Sequence, residues 1–393
     1  MRKLKGALSI ASNSYGMPTG YGQQTKLLID RLLRTGLKVA NLSNFGLEGS
    51  IEKKKVGNGS FTQYPKGFRP YSDDVIPLWH QHFTAQNPDL PSALMTLYDV
   101  WVYNDMKFEG DILSWVPLDH VTLPPNVLKF LQKDNVYPIT MSPHGKRQLD
   151  EIGMENTYIP HAVDTTIFKP TKMLEGKPTR QVLDVPEDAF LVTMVAANKA
   201  DGRVHRKSLS EAFAAFALFR KKHKDAYLYL HMDPSNAYGG FRLPQLLKSV
   251  GLDEDSVRIA NPHELRVGYS EKALAALYSA SDIFLSPSMG EGFSVGLIEA
   301  QACGVNCITS SWTAPQDLVG EDSYLIQGQL AWDEPQQAWL QVPLIDSIVN
   351  ALELAYEAPR GVSESAIEFA KQFDADRVFA ESWMPFLEKR FPG

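Results

Sequence analysis

Two glutamates, Glu291 and Glu299, stand eight residues apart in the stretch PSMGEGFSVGLIEAQACG, residues 287–304. After the first comes an apolar pattern with helical spacing: Val295, Ile298, Ala302 and Cys303 fall at i, i+3, i+7 and i+8. Glu299 is the i+4 member of that stripe. A carboxylate turned toward a core is costly unless it is paired or hydrogen-bonded. Sugar hydroxyls are suitable donors, and a ribose diol can satisfy both oxygens of Glu299. The turn carries Gly290 and Gly292, where backbone can approach a ligand closely. Ser294 stands where it can cap the next helix, and the amides and dipole at that N-terminus suit a phosphate. A ribose, a phosphate and a second sugar in line describe a nucleotide-sugar. Glu291 then meets the hydroxyls of the transferred sugar. The plainer alternative is that the helix dipole favours Glu291 and that Glu299 pairs with a neighbouring Arg or Lys.

Other chemistry-bearing stretches are weaker. GYGQQT, residues 20–25, departs from G-x-G-x-x-G because its third glycine is Thr25, and Asn41 and Asn44 stand where a ribose-binding acid belongs. That weakens a dinucleotide reading. HQH at 80–82 supplies two ligands, too few for a metal. The two cysteines, Cys303 and Cys307, give neither a disulfide framework nor a zinc site, and read as small buried residues of a reducing, cytoplasmic compartment.

The elements that must hold these residues alternate in type. GALSIAS (6–12), a helical GYGQQTKLLIDRLLRTG (20–36) with Gly36 just past the helix as its C-cap, and KVANLS (38–43) read as strand, helix, strand. ALMTLYDVWVY (93–103), VYPITMS (136–142) and NTYIP (156–160) continue the strands. Residues 168–187, rich in Pro, Gly and charge, mark a boundary. The pattern restarts with AFLVTMVAAN (189–198), a helix at 210–223, AYLYLHM (226–232), SVRIAN (256–261), a helix at 271–281, DIFLSPS (282–288) and NCITSS (306–311). This predicts an α/β chain of two Rossmann-like, doubly wound domains facing a central cleft. The expected domains are 1–170 and 171–370, with a C-terminal helix at 371–393 packing back on the first. The net charge of −7 gives no global attraction to nucleic acid or anionic lipid, and no stretch is apolar enough to span a membrane. KKK at 53–55 reads as a solvated loop.

The E-x7-E after GEGF, with EAQACG behind it, resembles the retaining GT-B glycosyltransferases of family 4. YIPHAVDTTIFKP (158–170), with Ala162 where the family usually has glycine, resembles its interdomain segment. LAALYSASDIFLSPSMGEGF and YGMPTGYGQQT resemble its run into the motif and its N-terminal glycine loop. The resemblance implies donor roles for Glu299 (ribose), Glu291 (sugar) and the amides of Gly292, Phe293 and Ser294 beside Gly290. It implies that the loop with Gly20 and Gly22 lies near donor phosphates and acceptor. The family's basic pair falls in ANKADGRVHRKSL (197–209): Lys207, with Arg203 or Arg206 as partner and Lys199 a further candidate, to stabilise the departing diphosphate. A histidine lining the acceptor side is implied at His120, with Asp119 orienting it; His144, His161, His80 and His82 are weaker candidates.

The implied reaction moves a hexosyl or pentosyl group, with retention, from a nucleotide-sugar such as a UDP- or GDP-sugar to a hydroxyl. It needs no metal and no further cofactor. The alternatives are a nucleotide-sugar epimerase and a non-catalytic nucleotide-sugar-binding protein. The acceptor is left open among a glycan, a lipid and, since short members with such an opening resemble phage-encoded enzymes, a hydroxylated DNA base. Lys53–Arg69 could supply a basic patch for the last.

Overall fold

The structure, a computed structural model, describes residues 3–200, 205–237 and 239–393. Its strands in chain order begin with β1 (Ala7–Ser12), β2 (Lys38–Ser43), β3 (Glu52–Val56), β4 (Gly59–Tyr64), β5 (Ser92–Leu97), β6 (Ile112–Val116), β7 (Val136–Thr140) and β8 (Thr157–Tyr158). These form one sheet in the order β3-β4-β2-β1-β5-β6-β7-β8. Every pairing is parallel except β3 with β4. Next come the short antiparallel pair β9 (Met173–Leu174) and β10 (Lys177–Pro178). Then follow β11 (Phe190–Val195), β12 (Ala226–His231), β13 (Val257–Ile259), β14 (Ile283–Ser286), β15 (Cys307–Ser310) and β16 (Tyr324–Ile326). They build a second, all-parallel sheet in the order β13-β12-β11-β14-β15-β16. β17 (Gly328–Asp333) and β18 (Ala338–Pro343) make a separate two-stranded piece.

The chain divides into two compact units. One comprises Met1–Ala162, Glu334–Ala338 and Phe373–Gly393; the other comprises Val163–Asp333 and Trp339–Gln372. In the second, Phe190, Val192 and Met194 of β11 share a core with Phe213, Phe216 and Phe219 of helix Leu209–Lys222 and with Ile348 and Leu352 of helix Ile345–Glu357. Leu191, on the opposite face, packs with Ala276 and Leu277 of helix Glu271–Ser279. Strand residues alternate between faces, so a sheet covered on both sides reads as a continuous apolar run. In the first unit, Ala7, Leu42, Leu94, Ile112 and Val116 pack with Ile76 and Phe83 of helix Ile76–Ala85. The end of the chain completes this unit: Phe391 fills the space that a side chain at Gly6 would occupy, its Cδ1 lying 2.2 Å from where a Cβ would sit. Trp383 meets Trp115 edge-on at 4.9 Å.

Some elements differ from the sequence expectation. The helix expected to run up to Gly36 ends earlier, at Leu32, while Gly36, at φ +97°, lies beyond it as expected. The strand expected over 93–103 stops at Leu97; Val100 and Tyr103, both fully buried, take the i, i+3 spacing of a 3₁₀ turn instead. The lysine run is no loop. Lys53–Lys55 lie in β3, an edge strand paired with β4, where lysines facing solvent discourage pairing with another chain.

Candidate functional site

In each of the two large sheets the strand order reverses at the sheet's first strand in chain order: β2-β1-β5 in one, β12-β11-β14 in the other. Loops leaving neighbouring strands on either side of such a reversal diverge, and the crevice at their carboxyl ends is where open α/β sheets take ligands. The residues singled out by sequence fall on these loops. Lys199, Arg206 and Lys207 follow β11; Gly290 to Ser294 follow β14. Gly20 and Gly22 follow β1; Asp119 and His120 follow β6. Arg203 lies outside the described residues.

The β11 and β14 loops are tied together. The Met289 amide donates to the Arg206 carbonyl at 2.8 Å, and the Gln341 amide donates to the Met289 carbonyl at 3.0 Å. Ser310 Oγ donates to the Ser288 carbonyl at 2.6 Å, and the Glu291 amide donates to Thr313 Oγ1 at 3.0 Å. This backbone scaffold presents Glu291 to two cations. Arg206 Nη1 lies 3.0 Å from Oε2 and also donates to the Gly290 carbonyl; Lys207 Nζ pairs with Oε1. Burial by itself raises the Glu291 pKa. The Arg206 and Lys207 charges more than reverse this and hold the carboxyl at about 2. Lys199 is exposed on the loop, its backbone bridged to Gly239.

Glu299 has a different environment. It sits partly buried on helix Val295–Ala302 and accepts from the Tyr278 hydroxyl at 3.0 Å. Burial pushes its pKa up to about 7, against the opposing effect of the tyrosine bond. The apolar stripe around it holds in part: Ile298, Ala302 and Cys303 are buried, as are Leu297 and Gln301, while Val295 is only partly covered.

Ser294 occupies the position before that helix, but its hydroxyl makes no capping bond, contrary to the sequence expectation. Its backbone turns left-handed, φ +94° and ψ +74°, which aims the side chain away from the first-turn amides. Ser208, before helix Leu209–Lys222, does the same at φ +51° and ψ +41°. Thr313, which holds the Glu291 amide, has φ +52°. Left-handed non-glycine residues are costly and cluster where the surroundings over-determine them. Two helix N-termini without a side-chain cap leave first-turn donors to other partners, and this suits an anion.

In the first unit, Thr19 caps helix Gly20–Leu32, accepting from the Gly22 amide at 3.1 Å, and Asn13 Nδ2 donates to the same oxygen at 2.8 Å. Gly22 has a steric reason: a Cβ there would stand 2.5 Å from the Met17 carbonyl oxygen, whereas one at Gly20 would meet nothing. Asn41 accepts from the Tyr15 amide at 2.8 Å and donates to the Ile10 carbonyl at 3.2 Å, so it anchors the loop after β1. Asn44 Nδ2 donates to the Tyr103 hydroxyl at 2.5 Å. His120 is buried with Nδ1 2.7 Å from Asp119 Oδ1, and its carbonyl accepts from His144 Nε2 (3.2 Å) and Gln148 Nε2 (2.9 Å). His161 lies edge-on to Trp115, and burial lowers its pKa to about 3. His80 meets Ser9 Oγ and His82 meets the Tyr64 hydroxyl, each through Nδ1. The HQH histidines therefore serve the packing of the first unit. Among the described residues no group of three or more His, Cys, Asp or Glu is placed to hold a metal ion.

The family profile described as Glycosyl transferases group 1 matches residues 201–338, the segment that carries these two loops. Over the whole chain the fold matches sucrose-phosphate synthase from Thermosynechococcus elongatus, with TM-score 0.73, 18% identity, and 98% of this chain and 99% of that one covered. The chain has the GT-B fold, and the segment 201–338 is similar to the group 1 glycosyltransferases. Alpha,alpha-trehalose 6-phosphate synthase from Burkholderia multivorans also matches the fold of this chain, at TM-score 0.67 and 13% identity over 99% of both chains. D-inositol 3-phosphate glycosyltransferase of Corynebacterium kroppenstedtii is 30% identical over 152 residues, 37% of this chain and 31% of that protein. MMP alpha-(1->4)-mannosyltransferase of Mycolicibacterium hassiacum is 26% identical over 165 residues, 42% and 33% respectively. The matched stretch thus spans about a third of the length of these curated relatives.

Several residues that shape the second-unit site carried no sequence signal. Tyr278 reaches Glu299 from another helix, and Thr313 reaches Glu291 from beyond β15. Asn198 organises the β11 loop: its Nδ2 donates to the carbonyls of Asp233, Ser235 and Phe241, and its Oδ1 accepts from the Phe241 amide. An asparagine in a loop is too common to single out; only its burial and its bonds distinguish it.

Proposed function

We propose that this chain is a retaining glycosyltransferase that moves a sugar from a nucleotide-sugar to a hydroxyl acceptor. The observation that carries the reading is the Arg206–Lys207–Glu291 cluster at the strand-order reversal of the second unit, flanked by two helix N-termini without side-chain caps. A nucleoside diphosphate leaving group gains charge as its bond to the sugar breaks. Preset cations and amides that meet this charge lower the barrier. In the unliganded chain Glu291 neutralises the two cations. A bound diphosphate takes its place as their partner, and the carboxylate turns to sugar hydroxyls. Glu299 accepts from the ribose diol, with Lys199 and the amides of Gly292, Phe293 and Ser294 around the phosphates.

The acceptor hydroxyl is bound by first-unit loops, with His120, oriented by Asp119, beside it and Gly20 and Gly22 at the helix start. The departing phosphate oxygen takes the acceptor proton on the face where the new bond forms, so no dedicated pair of carboxylates is required. Relatives named as a sucrose-phosphate synthase, a D-inositol 3-phosphate glycosyltransferase and an alpha-(1->4)-mannosyltransferase support testing a carbohydrate or polyol hydroxyl as the first acceptor, before a lipid or a hydroxylated DNA base. Thermal shift across UDP-, GDP-, ADP- and dTDP-sugars identifies the donor. Anomeric NMR of the product with a hydroxyl acceptor then reads the stereochemistry. Inversion, or nucleotide-sugar turnover that needs no acceptor, contradicts the reading.

A further inference from the structure

A cavity of about 270 Å³ opens in the second unit, outside the residues given donor roles above. One wall is flat and aromatic: the His205 ring stacks on Phe241, centroids 4.5 Å apart and planes 15° from parallel. His205 is 5% exposed; its Nε2 meets Asn198 Oδ1 at 3.1 Å, and its Nδ1 has no hydrogen-bond partner among the described residues. The β17–β18 piece contributes Ala331, Trp332, Asp333, Leu340 and Val342 to the lining, and Met289 adds to it. Glu211 and Ser210, at the start of helix Leu209–Lys222, close one end, with Ser210 Oγ donating to Glu211 at 2.9 Å.

The β17–β18 piece belongs to neither parallel sheet, and a two-stranded piece has little stability of its own. Yet it exposes large apolar side chains: Leu330 at 51%, Trp332 at 46% and Trp339 at 37%, the two indoles edge-on at 5.0 Å. Clustered aromatic exposure of this kind marks a binding surface. The chemistry of the lining selects the occupant. Aromatic walls suit the C–H faces of a sugar ring, and two carboxylates and a hydroxyl suit its equatorial rim, since ionised carboxylates only accept. Among the described residues no Lys or Arg lines the cavity, and Glu211 and Asp333 would repel a phosphate-bearing ligand. The volume is at the small end for ligand sites, which suits one monosaccharide.

We propose that this cavity is a second carbohydrate site, separate from the donor residues, that holds one neutral pyranose, either free or as a unit of a longer glycan. The site stands independently of the donor reading, because it is tested without nucleotide. The full chain is titrated with methyl α-glucoside, methyl α-mannoside and methyl β-galactoside and with trisaccharides of the same sugars. Binding is followed by saturation-transfer NMR and tryptophan fluorescence. At least one ligand saturates; Glu211→Gln weakens it about tenfold, the loss of one charged hydrogen bond. Trp332→Ala weakens it further, and Glu291→Gln leaves it unchanged. Tighter binding of the trisaccharide identifies a glycan unit; equal binding identifies a free sugar. Should Trp332→Ala fail to give the wild-type unfolding profile, Asp333→Asn replaces it. The proposal is overturned if no glycoside saturates, or if Glu291→Gln abolishes binding that the Glu211 and Trp332 variants retain.

Discussion

The turn before helix Val295–Ala302 and the helix itself each carry one glutamate of the motif, and the two are held in opposite electrostatic states. Glu291 is 8% exposed, yet two cations keep it ionised, with a pKa of about 2. Glu299, partly buried against a tyrosine hydroxyl, has a pKa of about 7. Burial alone raises both; the partner decides the outcome. One carboxylate belongs to a charge network whose cations can be handed to another anion. The other waits for hydrogen-bond donors that would favour its ionised form. Spacing along the chain put the two within one turn-and-helix unit, but it could not tell the one state from the other.

The comparison can be broken at several points. The largest effect is expected at the cations. Lys207→Ala should lower kcat by about 10²–10³, the scale of removing one preset electrostatic contact to a developing charge. Wild-type turnover would remove Lys207 from the leaving-group site. Next, Glu299→Ala should weaken nucleotide affinity by about tenfold or more, with a smaller change in kcat. Equal loss in both parameters would mean that it acts in the chemical step.

The third test uses pH. Glu299's folded pKa lies above its ordinary value of 4.5. Between these values the folded chain binds more protons than the unfolded one, so this group's contribution to stability falls as pH rises from 4.5 to 7 and is level above. The full span is about 3 kcal/mol. Glu299→Gln should therefore stabilise the unliganded chain at pH 8 relative to pH 5, read by denaturant midpoints. Nucleotide binding at pH 7, where Glu299 is about half protonated, should release about half a proton from the wild type, seen by calorimetry in buffers of differing ionisation enthalpy, and none from the variant. Glu291 has the reverse sign: its contribution is complete above pH 4.5 and is lost as pH falls toward 2.

The smallest effect concerns the left-handed serine. Ser294→Gly should raise stability by about 0.5 kcal/mol, because glycine tolerates the positive φ and no cap is lost. A loss of about 1 kcal/mol, the usual cost of removing a cap, would show a capping bond in solution.

Much of the fold was legible in the sequence. β2 matches the expected 38–43 to the residue, and β1 differs by one, because apolar runs buried on both faces and bounded by turn residues leave few alternatives. Where the reading slipped, local pattern and long-range pairing disagreed. Lys53–Lys55 look like a solvated run, but pairing with β4 makes them a strand. Val100 and Tyr103 look like a strand's end, but two fully buried side chains at i, i+3 need a helical turn. At Gly22 the need is steric, room for the Met17 carbonyl, of which the sequence carries no sign.

What the sequence determined by itself was the order of elements and the placing of Glu291, Arg206 and Lys207 on loops between strand and helix, since periodicity and turn chemistry are local. The tertiary structure alone decided that strands distant in the chain would lie side by side. It brought Arg206 and Lys207 onto Glu291, Tyr278 onto Glu299 and Trp332 to the cavity that His205 lines. Contacts of that kind depend on sheet order and packing, and a charge or a hydroxyl carries no mark in the sequence of the partner it will meet.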